Sequence, residues 1–196
     1  MNGVNMAAIY VVQTLGSLYL LIVLLRFILQ LVRADFYNPL SQFIVRATQP
    51  LLTPLRRVIP GSAGIDIASL VLALVVQLIL LGVIITLMGY ALPPVLQLLV
   101  WALVGITALF LKIFFFALII SVILSWVAPH SQNPAALLVY QLCEPVLAPI
   151  RRVLPSMGGL DLSPIFAFIA LNLLDMLLIT NLAMATGMPK GLTLAL

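Results

Sequence analysis

The side chains with the clearest chemistry are four arginines in two similar phrases. The phrase QPLLTPLRRVIPGSAGID carries Arg56 and Arg57, and EPVLAPIRRVLPSMGGLD carries Arg151 and Arg152. Guanidinium groups bind phosphate and carboxylate groups in a bidentate fashion, and basic residues beside an apolar segment attract anionic lipid headgroups. The sequence therefore predicts that these arginines face lipid or a partner.

An aspartate closes each phrase, at Asp66 and Asp161, directly before an apolar run. A carboxylate there can cap the free N–H groups of the following helix. In the second phrase Ser163, followed by Pro164, is an alternative cap with proline at the first helical position. Either aspartate could instead pair with an arginine of the phrases. Gly64 and Gly159 permit the tight turn that precedes each aspartate.

Three further charges, Arg26, Lys112 and Asp175, lie inside apolar runs. Charges within a membrane are costly and often functional. Lys112 and Asp175 could share a depth and form an ion pair, or Lys112 could snorkel while Asp175 faces polar neighbours. Arg26 is close to the end of its run, so we expect it to snorkel to the interface.

The chain offers no catalytic, metal or cofactor constellation. Cys143 is the only cysteine and His130 the only histidine, which excludes an internal disulfide and a structural zinc site within one chain. There is no phosphate loop, nucleophile elbow or well-spaced carboxylate pair. We therefore expect no enzyme activity and no cofactor.

The composition predicts an integral membrane protein. Only 7% of the residues are charged, whereas about a quarter of all residues are charged in a soluble domain. In addition, 64% of the residues are hydrophobic and the mean hydropathy is +1.30. The net charge of +4 rests on few residues between apolar runs, which indicates lipid headgroups and no nucleic acid. Four runs reach the roughly 20 residues of a crossing: about 7–32, 67–92, 96–127 and 164–185.

The fold class is thus all-α integral membrane, with about four transmembrane helices. The third run is long enough to be one strongly tilted span or a span plus an interfacial segment near Gly105. The connections 33–66 and 128–163 hold arginines, and 89–97 holds no charge. The positive-inside rule then places both basic loops in the cytoplasm and both termini outward.

The unit of span, basic loop and span occurs twice. Residues 38–66 and 133–161 share 11 of 29 positions at an offset of 95. This predicts two parallel repeats, 1–92 and 93–196.

Each basic loop is predicted to contain an amphipathic helix lying in the interface plane. In the first loop, apolar residues from Leu40 to Val58 fall on one face and the arginines on the other. Pro50 and Pro54 predict a break near Thr48, with a second helix starting at Pro50; Pro145 and Pro149 are placed in the same way in the second loop.

These motifs, with DFYNPLSQF and SWVAPHSQNP, resemble the YggT family of bacterial membrane proteins, whose relatives also occur in plastids. The resemblance covers about residues 6–190 and implies a multi-pass protein of the bacterial inner membrane. It implies a non-enzymatic membrane factor linked to osmotic stress tolerance, with plastid relatives linked to cytochrome assembly and organelle division. The GGLDLSP ending is complete only in the second repeat, and repeat one has AGIDIAS, so the second repeat is the better candidate for a working copy.

Two functions remain open from the sequence. The first is a membrane organising or assembly factor that acts through its interfacial helices on anionic lipid, a second copy of itself or other membrane proteins. The second is a component of an ion (potassium-like) or small-solute pathway, lined by Lys112 and Asp175.

Overall fold

The computed structural model describes residues 3–59, 61, 64–129, 131–153, 161–189 and 192, and these form helices joined by turns and irregular segments. Seven helices follow one another, and a π-helical segment, Asp175–Thr180, joins the last two into one long rod. Their bounds are α1 Gly3–Leu31, α2 Pro39–Val58, α3 Ile67–Leu87, α4 Val95–Val127, α5 Pro134–Val153, α6 Ser163–Leu174 and α7 Asn181–Ala185.

Four of these rods are long and apolar enough to cross a membrane: α1, α3, α4 and the rod 163–185. They confirm the predicted four-helix membrane fold. The third run is a single helix of 33 residues, about 50 Å long at 1.5 Å per residue. Gly105 therefore lies inside α4, and no turn or separate interfacial segment interrupts that helix.

The four rods pack through contacts of α1 on α3, of α3 on α4 and of the rod 163–185 on α4, and the first two are the closest approaches. Two glycines allow these approaches. A Cβ atom on Gly16 would lie 2.4 Å from the Leu80 side chain, and one on Gly105 would lie 2.5 Å from Gln77 Nε2. Small residues at such positions let the backbones of membrane helices come together. The core around them is built from leucine, valine and isoleucine side chains.

The predicted break in the basic loops is wrong. Helix α2 continues through Pro50 and Pro54, and α5 continues through Pro145 and Pro149. A proline inside a helix removes one N–H donor and frees the carbonyl four residues earlier. All four prolines are exposed, so the freed carbonyls lie on the outer side of the helix, where water or headgroups can bind them.

An asparagine side chain caps the N-terminus of α2 and of α5 in the same way. Asn38 Oδ1 accepts a hydrogen bond from the Leu40 N–H at 2.9 Å, and Asn133 Oδ1 accepts one from the Ala135 N–H at 2.9 Å. An asparagine followed by proline is a favourable helix start because it satisfies a free N–H group before the fixed φ of proline. The two helices α2 and α5 are 20 residues each and begin 95 residues apart.

Candidate membrane-surface site

The end of α2 is fastened to the start of α3 by a buried carboxylate. Arg56 Nη2 donates a hydrogen bond to Asp66 Oδ2. The same carboxylate caps α3, because Asp66 Oδ2 accepts from Ser69 Oγ at 2.6 Å and Oδ1 accepts from the Ser69 N–H at 3.3 Å. The turn before it uses Gly64 at φ +83°, a conformation that glycine adopts without steric cost.

The end of α5 is fastened in the same way, but at the surface. Arg151 Nε donates to Asp161 Oδ2 at 2.9 Å, and Arg151 Nη1 donates to Glu144 Oε2 at 2.9 Å. Asp161 Oδ1 accepts from the Ser163 N–H at 2.9 Å, so the aspartate caps α6 and Ser163 supplies the capped amide. The predicted turn at Gly159 lies outside the described residues.

The two pairs differ in burial. The Asp66 side chain is 3% exposed, whereas Asp161 is 46% exposed. Burial raises the pKa of Asp66, but hydrogen bonds from Arg56 and Ser69 outweigh it and hold the pKa below its ordinary value. Asp161 shows the same balance, with burial opposed by Ser163 and Arg151, and its pKa is also lowered. Both carboxylates are therefore charged at neutral pH.

The second arginine of each pair has a different environment from the first. All four arginines are exposed, but within the described parts of the chain Arg57 and Arg152 form no ion pair with an acidic side chain, whereas Arg56 and Arg151 do. The first arginine of each pair thus positions the helix, and the second is available to an external anion.

Helix α2 exposes its apolar side as well as its basic side. Leu40, Phe43, Leu51 and Val58 are exposed, although they form the apolar stripe that sequence periodicity predicts. The buried stripe is a neighbouring one, made of Ser41, Ile44, Thr48 and Leu52. One flank of α2 therefore packs on the protein, and an uncovered apolar flank lies on the side away from the arginines, as in a helix that rests in an interface.

The two basic helices are linked near their N-terminal ends. Asn38 Nδ2 donates to the Pro134 carbonyl at 2.6 Å, and the Asp35 N–H donates to Gln141 Oε1 at 3.0 Å. Helices α2 and α5 also contact each other directly. The arginines lie at the other, C-terminal ends of these helices, and we refer to the four together as the basic surface: Arg56, Arg57, Arg151 and Arg152.

Arg26 does not snorkel to the interface as expected. Its side chain is 7% exposed, and its Nε and Nη1 atoms have no hydrogen-bond partner among the described residues. The charges of Arg56 and Asp66 both act on it. Arg26 therefore lies behind the first ion pair, inside the protein, where a charge needs nearby compensation.

A groove opens beside the first ion pair at the end of α1. It has a volume of about 440 Å³ and is lined by Gln30, Arg33, Phe36 and the loop residues Gly64 and Ile65 among others. Arg33 ends the helix at φ +54°, a left-handed conformation that is uncommon for a residue other than glycine. Arg33 is thus a further arginine at this end of the molecule, and helical periodicity alone did not predict it.

Lys112 and Asp175 come together far from the basic surface. Both line a pocket of about 200 Å³ between α4 and α6, together with Asn172 and apolar side chains, among them Phe115 and Phe116. A direct contact between the two charges stays a prediction. Groups of three or more histidine, cysteine or acidic side chains that could hold a metal are absent from the described residues.

Comparison with known proteins assigns the family. A family model described as CCB3/YggT matches residues 5–88 and 100–182. The chain belongs to the CCB3/YggT family. A Pseudomonas aeruginosa protein is 70% identical over the full length of both chains. The YggT protein of Escherichia coli K12 is 38% identical, over 95% of this chain and 97% of its own.

The similarity extends to a plastid protein over a shorter stretch. The chloroplastic YlmG homolog protein 2 of Arabidopsis thaliana is 41% identical over 66 residues, which is 32% of this chain and 25% of that protein. No solved structure matches the chain.

Sequence reasoning missed two polar groups of this YggT-family site. Glu144 binds Arg151 from two turns earlier on α5, and its seven-residue spacing on one helix face was a usable signal. Gln141 binds the backbone of Asp35, 106 residues away, and no local pattern announces such a partner.

Proposed function

We propose that this YggT-family protein is a non-enzymatic factor of the bacterial inner membrane that organises or helps assemble membrane components. Its basic surface would lie on the cytoplasmic leaflet and hold anionic lipid headgroups. The observation that supports this most is that only the first arginine of each Arg-Arg pair forms an ion pair within the described part of the protein. Arg56 and Arg151 bind Asp66 and Asp161, while Arg57 and Arg152, which are also exposed, form no ion pair within the described residues.

The exposed apolar flank of α2 supports the same proposal. A helix with large exposed apolar residues on one side and arginines on another fits the boundary between headgroups and acyl chains. The ion pairs then fix that helix relative to the span that follows it, so that binding at the surface is transmitted to the orientation of the spans. The link to osmotic stress tolerance belongs to this proposal and rests on the family resemblance.

Complementation tests the proposal. A strain that lacks this protein is compared under osmotic upshift with strains carrying the wild type, Arg57→Gln/Arg152→Gln or the charge-preserving control Arg57→Lys/Arg152→Lys, at equal membrane abundance. We expect the lysine variant to complement and the glutamine variant to fail. Full complementation by the glutamine variant would contradict a role for the basic surface.

The second candidate function is a component of an ion or small-solute pathway. The pocket between α4 and α6, with Lys112 and Asp175 in its lining, is the observation in its favour. Potassium flux into liposomes separates the two functions. Flux that the wild type supports and Asp175→Asn abolishes would favour the pathway, and its absence at verified protein incorporation would favour the organising role.

A further inference from the structure

The groove at the end of α1 has the size and the lining of a ligand site. Its volume of about 440 Å³ lies within the range of about 300–1,000 Å³ that small-molecule sites occupy. Arg33 and Gln30 are the polar side chains of its lining, and Leu31, Phe36 and Ile65 are exposed apolar ones. Such a lining suits a ligand that is polar at one end and apolar at the other.

The lining of the groove is positively charged. Among the described residues it contains Arg33 and no acidic side chain, and Arg33 forms no ion pair within the described chain. Asp35 is close in sequence, but its carboxylate does not line the groove and accepts a hydrogen bond from the Tyr37 N–H at 2.8 Å. A guanidinium group in this setting favours an anionic ligand, above all a phosphate.

A second arginine lies behind the groove. Arg26 precedes Gln30 by one turn of α1, and Asp66 directly follows the groove residue Ile65. The charge of Asp66 acts on Arg26, but Arg56 already binds that carboxylate, so two arginines share one acid. Arg26 Nε and Nη1 have no hydrogen-bond partner among the described residues. An anion in the groove would offset this excess of positive charge, which is costly inside a protein.

The backbone of Arg33 indicates that its side chain does more than end a helix. The Arg33 N–H donates to the Gln30 carbonyl at 3.2 Å, and the Ala34 N–H donates to the Leu29 carbonyl at 2.9 Å. This is the Schellman pattern, in which glycine is the usual residue at the left-handed position. Arg33 occupies that position at φ +54°, where a Cβ atom is unfavourable. A strained residue in a groove is a reason to infer a function for its side chain.

A second groove at the corresponding place in the other half of the chain lacks these charges. It has the same volume, and three of its lining residues stand 95 residues after lining residues of the first groove: Ser125, Pro129 and Ser131. At the same offset from Arg26 and Arg33 the chain has Ser121 and Ala128. The described lining of the second groove contains no charged side chain. An anion should therefore prefer the first groove.

We propose that the groove at the end of α1 binds one anionic phospholipid, whose phosphate is held by Arg33. The Gln30 amide supplies a further donor, and the apolar rim contacts the glycerol and the first acyl carbons. The site rests on the proposed function in one respect, the placement of this end of the protein among headgroups. It uses none of the four arginines of the basic surface, so either site can fail without the other.

Native mass spectrometry counts the lipid molecules that the purified full-length protein retains from detergent micelles. The probes are dioleoyl phosphatidylglycerol and, as the zwitterionic comparison, dioleoyl phosphatidylcholine. The variants are Arg33→Gln and Arg33→Gly, and the matched control is Arg46→Gln, which removes an exposed arginine of α2 outside the groove. Arg33→Gly removes the charge and the backbone strain together, so its melting temperature should not fall below that of the wild type.

We expect the wild type to retain one phosphatidylglycerol molecule first and to bind phosphatidylcholine about tenfold more weakly. Arg33→Gln and Arg33→Gly should each weaken this first step about tenfold, as expected for the loss of a charge-assisted hydrogen bond. Arg46→Gln should bind as the wild type does. Inorganic phosphate in large excess should not displace the lipid, because it has no apolar part to contact the rim.

Four outcomes would overturn the proposal. They are wild-type affinity in both Arg33 variants, an equal loss in Arg46→Gln, equal binding of phosphatidylcholine, and displacement of the lipid by inorganic phosphate, which would assign the groove to a free anion. Failure of the basic surface has a different signature, an unchanged lipid preference in Arg57→Gln/Arg152→Gln, so the two failures are distinguishable.

Discussion

Arg56 and Asp66 join the last turn of α2 to the first turn of α3. Ten residues separate them along the chain, and the same separation relates Arg151 and Asp161 at the end of α5. The carboxylate of the first pair, Asp66, is buried, and that of the second pair, Asp161, is exposed. This difference gives the two arginines unequal importance for stability.

Arg56→Gln is expected to destabilise the protein by about 2 kcal/mol, because it leaves the buried Asp66 carboxylate without its cationic donor. Arg151→Gln should cost less than about 1 kcal/mol, because that ion pair is exposed. Unfolding in mixed micelles measures both. The double variant Arg56→Gln/Asp66→Asn should recover part of the loss, and equal effects of the two single variants would contradict the account.

Acid should weaken the protein through the same carboxylates. The pKa of Asp66 is lower in the folded chain than its ordinary value, so its contribution to stability is complete well above the unfolded pKa of about 3.9, that is, from about pH 5 upward. That contribution is lost as the pH falls below about 5 toward the lowered pKa. Asp66→Asn should flatten the stability curve in this range more than Asp161→Asn does. Identical slopes in wild type and Asp66→Asn would show that the pair does not respond to pH.

Cys143 should resist thiol reagents in the folded protein. Burial raises the pKa of its thiol to about 11, against smaller lowering effects of Ser121 and Arg151, while the negative charge of Glu144 raises it further. The residue is 1% exposed. The reactive thiolate is therefore scarce at pH 7. A maleimide should label denatured protein only, and labelling of the native protein at the rate of the exposed variant Tyr90→Cys would show that α5 opens.

Because Cys143 is unreactive in the folded protein, introduced cysteines can report on which side of the membrane the loops lie. Gly61→Cys reports the first basic loop, and Tyr90→Cys reports the uncharged connection between α3 and α4; both positions are exposed. With the loops in the cytoplasm, an impermeant maleimide should label position 90 in intact cells and position 61 only after lysis. Labelling of position 61 in intact cells would reverse the orientation.

Periodicity and length predicted the four spans because a membrane helix requires a long apolar run. They did not predict that helix α2 continues through Pro50 and Pro54. The free-energy cost of a proline in a helix depends on whether the carbonyl that it frees finds a hydrogen-bond partner, and this depends on whether that carbonyl is exposed. The burial of Arg26 was missed for a related reason. Position near a span end does not reveal which face of α1 packs inward.

The arginine pairs show the same limit at the candidate site. From the sequence, capping and ion pairing were alternatives for Asp66 and Asp161. In the structure each carboxylate binds both an arginine and an N–H group at the start of the next helix, which its two oxygens allow. The π-helical segment at Asp175 leaves no periodic pattern at all, since it changes the hydrogen bonds of the backbone and not the order of polar residues.

Lipid selectivity tests the central claim, that Arg57 and Arg152 hold anionic headgroups, most directly. The reconstituted full-length protein is examined by electron paramagnetic resonance with spin-labelled phosphatidylglycerol and spin-labelled phosphatidylcholine. The wild type should prefer the anionic lipid, and added salt should reduce that preference. Arg57→Gln/Arg152→Gln should lower the affinity about fivefold at each helix, from about 1 kcal/mol per charge, while Arg57→Lys/Arg152→Lys keeps it. An unchanged preference in the folded glutamine variant would contradict the claim.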